Sequence, residues 1–302
     1  MPIYHIEKKS IQTKGQITAL KSIASYNNCG PRFLEVRLEL YEACILQSML
    51  HGLEAWHHIS KTEYKNLEKI QASALCQLVE VPRSTPYLGL LSELGIWKVE
   101  ERIKYRRIML MQNILKSDNR RLCKRIALDQ KENEEDDTHY QTTKESLDEL
   151  NIDIDEIANM NKSKLKKMVK DKINKKTGKM IDEATKTMTK LRFIESAEFG
   201  RKQYVIEMDG CQAIQTIKTR LNMLPIHANY KADIKMNKMC THCNQAEDTT
   251  EHLIECKGLG PTILTKDDLG DTVNAQLWKM INERIQFNMN NRIKEPKNQL
   301  RK

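Results

Sequence analysis

In a chain of 302 residues, 39% hydrophobic and only 5% aromatic side chains leave little material for one large sheet-built core. Lys, Glu, Leu, Ile, Met and Gln are plentiful while Gly and Pro number 11 and 7, so the expected fold is mostly α and in more than one part. A formal charge of +9 and a pI near 9.0 argue against a small neutral substrate and suit an acidic polymer such as RNA or DNA. No apolar run approaches the ~18 residues of a membrane span, and the first residues carry Glu7, Lys8, Lys9 and Lys14 instead of a signal peptide. An intracellular protein with no membrane partner is expected.

The first predicted helix covers 15–26, with Ile17, Leu20 and Ile23 at helical spacing and Asn27, Asn28 and Gly30 closing it. Over 33–53 the positions Leu34, Leu38, Tyr41, Ile45 and Met49 form one apolar stripe, widened by Leu46, Leu50 and Leu53. Ser60 and Glu63 make a capping box for a helix carrying Leu67, Ile70, Ala74 and Leu78, which Pro82 stops. Thr85 and Pro86 start a short helix through Leu94, ended by Gly95 as a C′ residue. A longer one follows over 98–116, with Val99, Ile103, Leu110 and Ile114 on one side and Arg102, Lys104, Arg106 and Arg107 on others.

Beyond Asp118 charge takes over. A basic helical piece at 120–128 precedes an acidic run at 132–137 that reads as a solvated loop. From Lys162 to Arg192 lysine dominates so strongly that this stretch alone equals the chain's net charge. It is either a surface that tracks phosphates or the wet face of a helix. A helix over 211–224 turns Ile214, Ile217 and Leu221 inward and Lys218 and Arg220 outward, and Val273, Leu277, Ile281 and Ile285 repeat every four residues near the end.

Residues 239–257 hold Cys240, Cys243, His252 and Cys256 in a Cys-x2-Cys-x8-His-x3-Cys pattern with metal-ligand spacing. A tight turn offers both thiolates of a Cys-x-x-Cys pair, and a short helix capped by Thr249 or Thr250 sets His252 and Cys256 on one face. Three thiolates and one imidazole leave no position for water, so the expected cofactor is structural Zn2+, contributing about 10–16 kcal/mol in small modules. A reduced Cys-x-x-Cys with an unrelated histidine is the alternative, and His242 is a competing ligand. The other five cysteines, from Cys29 to Cys211, are expected to be free thiols.

Two blocks together resemble the C-terminal part of non-LTR (LINE-type) retrotransposon reverse transcriptases. The first comprises Leu50-His51-Gly52-Leu53-Glu54-Ala55-Trp56, Leu67-Glu68-Lys69-Ile70-Gln71, Pro82-Arg83-Ser84-Thr85-Pro86 and Glu93-Leu94-Gly95-Ile96, in the order found after the palm of such polymerases. The second is the cysteine-histidine segment with Thr250-Glu251-His252-Leu253, preceded by the helix carrying Arg220. The resemblance implies a helical thumb-like domain at 1–117, charged linker helices at 118–205, and a C-terminal helical segment with a zinc knuckle at 206–302.

The paired carboxylates of that family's polymerase chemistry have no counterpart here. Asp136-Asp137 lies in a polar run and Asp267-Asp268 beside a helix start, so each reads as solvated or capping. The chain therefore looks like a truncated reading frame. What the resemblance implies is a non-catalytic fragment gripping a template-primer-like RNA or DNA. The candidate phosphate contacts are Arg83, Arg102, Arg106, Arg107, Arg121, Lys124 and Arg125, with Lys238 and Lys257 flanking the metal. A zinc-stabilised helical adaptor for proteins is an alternative. A second is part of an active RNA-directed DNA polymerase whose carboxylates lie on a palm-containing partner chain.

Overall fold

The apolar stripes of the sequence become helix faces in the computed structural model, which describes residues 3–23, 30–133, 136–194, 199–224, 226, 239–269 and 274–293. Among these residues there is no strand or sheet, only helices and turns with two isolated antiparallel bridges, Pro31 to Asp209 and Met239 to Glu247. The fold is mostly α, as composition required.

Helix α1 (Ile3–Ile23) begins well before the expected start at residue 15. Its inner face is a stripe with polar members: Lys9 and Thr13 are buried in line with Ile17 and Leu20. The Lys9 ammonium reaches the Ser48 carbonyl at 2.8 Å, which makes a lysine acceptable on a packed face. Next come α2 (Phe33–Leu40), a π-helical segment (Tyr41–Leu46) and α3 (Gln47–Leu50). Leu34, Leu38, Tyr41, Ile45 and Met49 are all buried, and so are Leu46, Leu50 and Leu53. The wider π turn lets two neighbouring rows face inward together.

The capping box opens α4 (Lys61–Leu78), where the Ser60 amide donates to Glu63 Oε2 at 2.8 Å and the Glu63 amide to Ser60 Oγ at 3.3 Å. α5 (Tyr87–Leu94) ends at Gly95, whose φ of +63° is left-handed. A Cβ there would also lie 2.3 Å from the Arg201 amide nitrogen, so glycine is needed twice over. Helix α6 (Val99–Leu115) then serves two cores. Val99 and Ile103 belong to the first, with the helices already named, while Ile108 and Met111 belong to the second.

The charged helices α7 (Leu122–Glu132), α8 (His139–Asp148), α9 (Ile154–Ile157) and α10 (Lys162–Thr187) build that second core around Leu147, Ile157, Leu165, Val169 and Ile173. The chain then returns to the first core through α11 (Gln203–Glu207), α12 (Gly210–Arg220), α13 (Thr250–Glu255) and α14 (Ala275–Ile293). Ile214, Ile217, Leu221, Leu253, Ile254, Trp278, Ile281 and Ile285 are buried there. Val273, from the expected repeat, lies outside the described residues.

Arg220 corrects an expectation, for it points inward. It is 0% exposed, and its Nε lies 3.1 Å from both carboxylate oxygens of Glu93. Its Nη1 donates to the Leu269 carbonyl at 2.8 Å, and the Tyr204 hydroxyl donates to the same carboxylate. The guanidinium also sits 6.0 Å from the Trp278 ring centroid. A buried guanidinium is tolerable because carboxylate, carbonyl and ring together replace its water. Burial and the adjacent carboxylate hold the Tyr204 phenol well above its ordinary pKa.

Candidate metal centre and basic surface

Between residues 239 and 257 the backbone makes a tight turn and then a one-and-a-half-turn helix. The Cys240 amide donates to the Ala246 carbonyl at 2.8 Å, and the Asn244 amide to the Cys240 carbonyl at 2.9 Å. Asn244 takes the left-handed conformation at φ +54°, which asparagine tolerates better than most residues. Cys240 and Cys243 therefore leave one side of a single turn. Thr249 caps α13 by accepting from the His252 amide at 3.1 Å, and Cys256 follows the helix's last residue as its C-cap.

The four ligand atoms all lie within 4.8 Å of one another. Cys240 Sγ and Cys256 Sγ are 3.7 Å apart, and Cys243 Sγ is 3.2 Å from His252 Nε2. A disulfide needs about 2.05 Å. A tetrahedral ion with metal–sulfur bonds of about 2.3 Å separates its sulfurs by roughly 3.8 Å, so the donor set fits one such ion. His242, the competing histidine, is not part of the cluster.

The electrostatics favour a cation. The Gln245 amide, 3.4 Å from Cys243 Sγ, lowers that thiol's pKa, whereas burial and the nearby Cys240 thiol push Cys256 up to about 11. One thiolate is invited and another resisted. A dication removes the resistance by supplying the opposite charge.

Long-range contacts set the cluster in the fold. Arg284 of α14 donates to the Cys256 carbonyl, to the Leu253 carbonyl at 3.3 Å and to the Gly260 carbonyl at 3.4 Å. Thr250 Oγ1 lies 2.7 Å from Asn222 Oδ1, and Glu251 pairs with Arg192 at 2.6 Å. Gly258 backs the cysteine turn so closely that a Cβ would stand 2.7 Å from the His242 carbonyl oxygen. None of these supports was anticipated. Only Gly258, two residues after the last ligand, had a local signal.

No known protein family, curated protein or solved structure matches the chain. The geometry of its own residues therefore carries the reading.

The candidate phosphate contacts divide into three groups. Arg83, Arg121, Arg125 and Lys257 are exposed, and Lys124 is half-buried with its ammonium 2.9 Å from the Ser117 carbonyl. The α6 arginines correct the expectation that they face a ligand. Arg102 bonds Glu42 and lies 5.0 Å over Trp97, Arg106 bonds Glu54 at 3.1 Å, and Arg107, 1% exposed, donates to the Trp56 carbonyl at 2.7 Å. Each has a partner within the fold, and a phosphate cannot reach Arg107. Lys238 lies outside the described residues.

The lysine run does better than the arginines. On α10, Leu165, Val169, Ile173, Thr177 and Ile181 are buried at four-residue spacing. Lys164, Lys167, Lys175, Lys179 and Lys186 are all exposed. As for the aspartate pairs, Asp268 accepts from the Thr265 amide at 2.7 Å, a capping role, and Asp136 and Asp137 are exposed. Cys44, Cys76, Cys123 and Cys211 are thiols in no disulfide, and Cys29 lies outside the described residues. Among the described residues no helix is long and apolar enough to cross a membrane.

Proposed function

We propose that this chain is an intracellular helical protein, stabilised by zinc, that grips the backbone of RNA or DNA without acting on it. Its relationship is to the thumb and C-terminal segment of a non-LTR retrotransposon reverse transcriptase, on the order of the two motif blocks. The observation that carries the binding reading is the row of exposed lysines on α10, backed by a buried apolar stripe that fixes which way the row faces. Phosphate contact there is independent of sequence and is driven by released counterions.

Zinc follows from the donor set, because three thiols and an imidazole in tetrahedral reach suit a borderline-soft ion with no geometric demand of its own. Cys240, Cys243, His252 and Cys256 would hold it. With all positions taken by protein, its role is to fix the turn against α13.

Elemental analysis is expected to find one zinc per chain, and a strong chelator to melt the segment. Filter binding of single-stranded RNA is expected to weaken steeply between about 50 and 200 mM salt. A flat salt response would sink the binding reading. A second reading, a protein adaptor, has one observation in its favour. On α7, Leu122 is 67% and Ile126 46% exposed, one turn apart. Self-association on gel filtration without RNA retention would favour it.

A further inference from the structure

We infer that the cleft between α1 and α4 is a binding site for a phosphate monoester. Ser10, Thr13, Lys14 and Ile17 recur at three- and four-residue spacing on α1. They face Lys69, Ser73 and Gln77, at four-residue spacing on α4, and the loop after Pro82 brings Arg83 to the same opening. The open cleft so lined holds about 230 Å³, room for a small headgroup.

Among the described residues three cations and three hydroxyls line it, and no carboxylate does. That absence distinguishes the cleft from the ion-paired part of the basic surface. Elsewhere Arg102, Arg106, Lys104, Lys176 and Arg192 each meet a carboxylate. Among the described residues Lys14, Lys69 and Arg83 form no ion pair. Ile17 and Ala74 are buried at its floor, so the charges converge on a wall of low polarizability that screens them poorly.

Three like charges around one concavity repel each other until an anion enters. A guanidinium fork beside two ammonium groups and several hydroxyls is a donor set for phosphate oxygens. The dianionic monoester matches it better than a backbone diester, because it brings a second negative charge to the same oxygens. The inference does not depend on the nucleic-acid reading, since the phosphate can end a strand or belong to a small molecule.

The test is calorimetric titration of the full chain with inorganic phosphate. Saturable binding is expected, weakened at least about tenfold by Lys14→Gln/Lys69→Gln/Arg83→Gln and unchanged by Lys144→Gln/Lys279→Gln, at exposed lysines of α8 and α14 far from both basic surfaces in sequence. Should the triple variant lose its helical circular dichroism, Arg83→Gln alone is expected to weaken binding in the same direction. Two otherwise identical oligonucleotides, with and without a 5′-phosphate, separate the sources. Preference for the phosphorylated one assigns a strand end, and equal affinity with phosphate binding intact assigns a small phosphorylated molecule. No saturable uptake of phosphate, or uptake indifferent to the triple variant and to Arg83→Gln, overturns the proposal.

Discussion

Helices α6 and α10 are both basic and both pack on the second core, yet they direct their charge in opposite ways. On α6 each guanidinium finds a partner inside the fold, and Lys104 meets Glu100 at 2.9 Å and Glu149 at 2.8 Å. On α10 a minority of the lysines turn back. Lys172 donates to the Leu150 and Asn151 carbonyls at 2.6 and 2.7 Å, and Lys176 meets Glu101 and Glu149 at 2.8 and 2.9 Å. Lys162 donates to Asn113 Oδ1 at 3.2 Å, while Lys164, Lys167, Lys175, Lys179 and Lys186 stand in water. The difference follows the chemistry of the two cations. Arginine's weakly hydrated fork is the cheaper one to enclose, and lysine's compact, strongly hydrated ammonium is the better one to leave outside.

The sharpest way to break the contrast is at its inward extreme. Arg220→Met leaves the Glu93 carboxylate buried without its counter-charge and is expected to cost about 3–5 kcal/mol in urea unfolding. Arg220→Met/Glu93→Leu should recover a large part of that loss. If the double variant is no more stable than the single one, the pair is not what holds the first core's charge.

Arg107→Met comes next, at roughly 1–3 kcal/mol, because it strips the Trp56 carbonyl of a buried donor. RNA affinity should not change beyond what misfolding explains. The outward helix gives the reverse pattern. Lys175→Gln/Lys179→Gln should leave stability within about 0.5 kcal/mol and lower the slope of binding against salt by roughly two.

The smallest effect lies where the two helices meet. Burial raises the Glu149 pKa, but hydrogen bonds from Lys104 and Lys176 outweigh it and hold the carboxyl below the ordinary glutamate range. A depressed carboxylate adds stability above its unfolded pKa and loses it as pH falls through the folded one. Glu149→Gln should therefore flatten the stability curve below about pH 4.5, by less than about 1 kcal/mol because the group is half in solvent. A curve unchanged by the substitution would show that the bridge is solvated away.

What could be read from the sequence was local. The capping box at Ser60, the left-handed Gly95, the Phe33-to-Leu53 stripe and the metal-ligand spacing all depend on neighbours a few residues away. The destinations of the arginines do not. Arg107 meets a carbonyl 51 positions back and Arg220 a carboxylate 127 positions back, so their spacing on a helix said nothing about whether they faced water. The early start of α1 was hidden for another reason: Lys9 and Thr13 occupy apolar-facing positions without being apolar. Trp278, 0% exposed beside Arg220, fell between the residues of the repeat that was noticed.

The supports of the cysteine-histidine cluster come from Arg192, Asn222 and Arg284, while Cys240 and Cys256, its outermost ligands, stand 16 residues apart. Closing so short a loop carries a small entropic cost, and bringing in those three distant side chains a larger one. On the proposed zinc reading, ion capture and docking are thus separable events. The knuckle can take its shape while the chain is still emerging from the ribosome, and α14, made later, locks it in place.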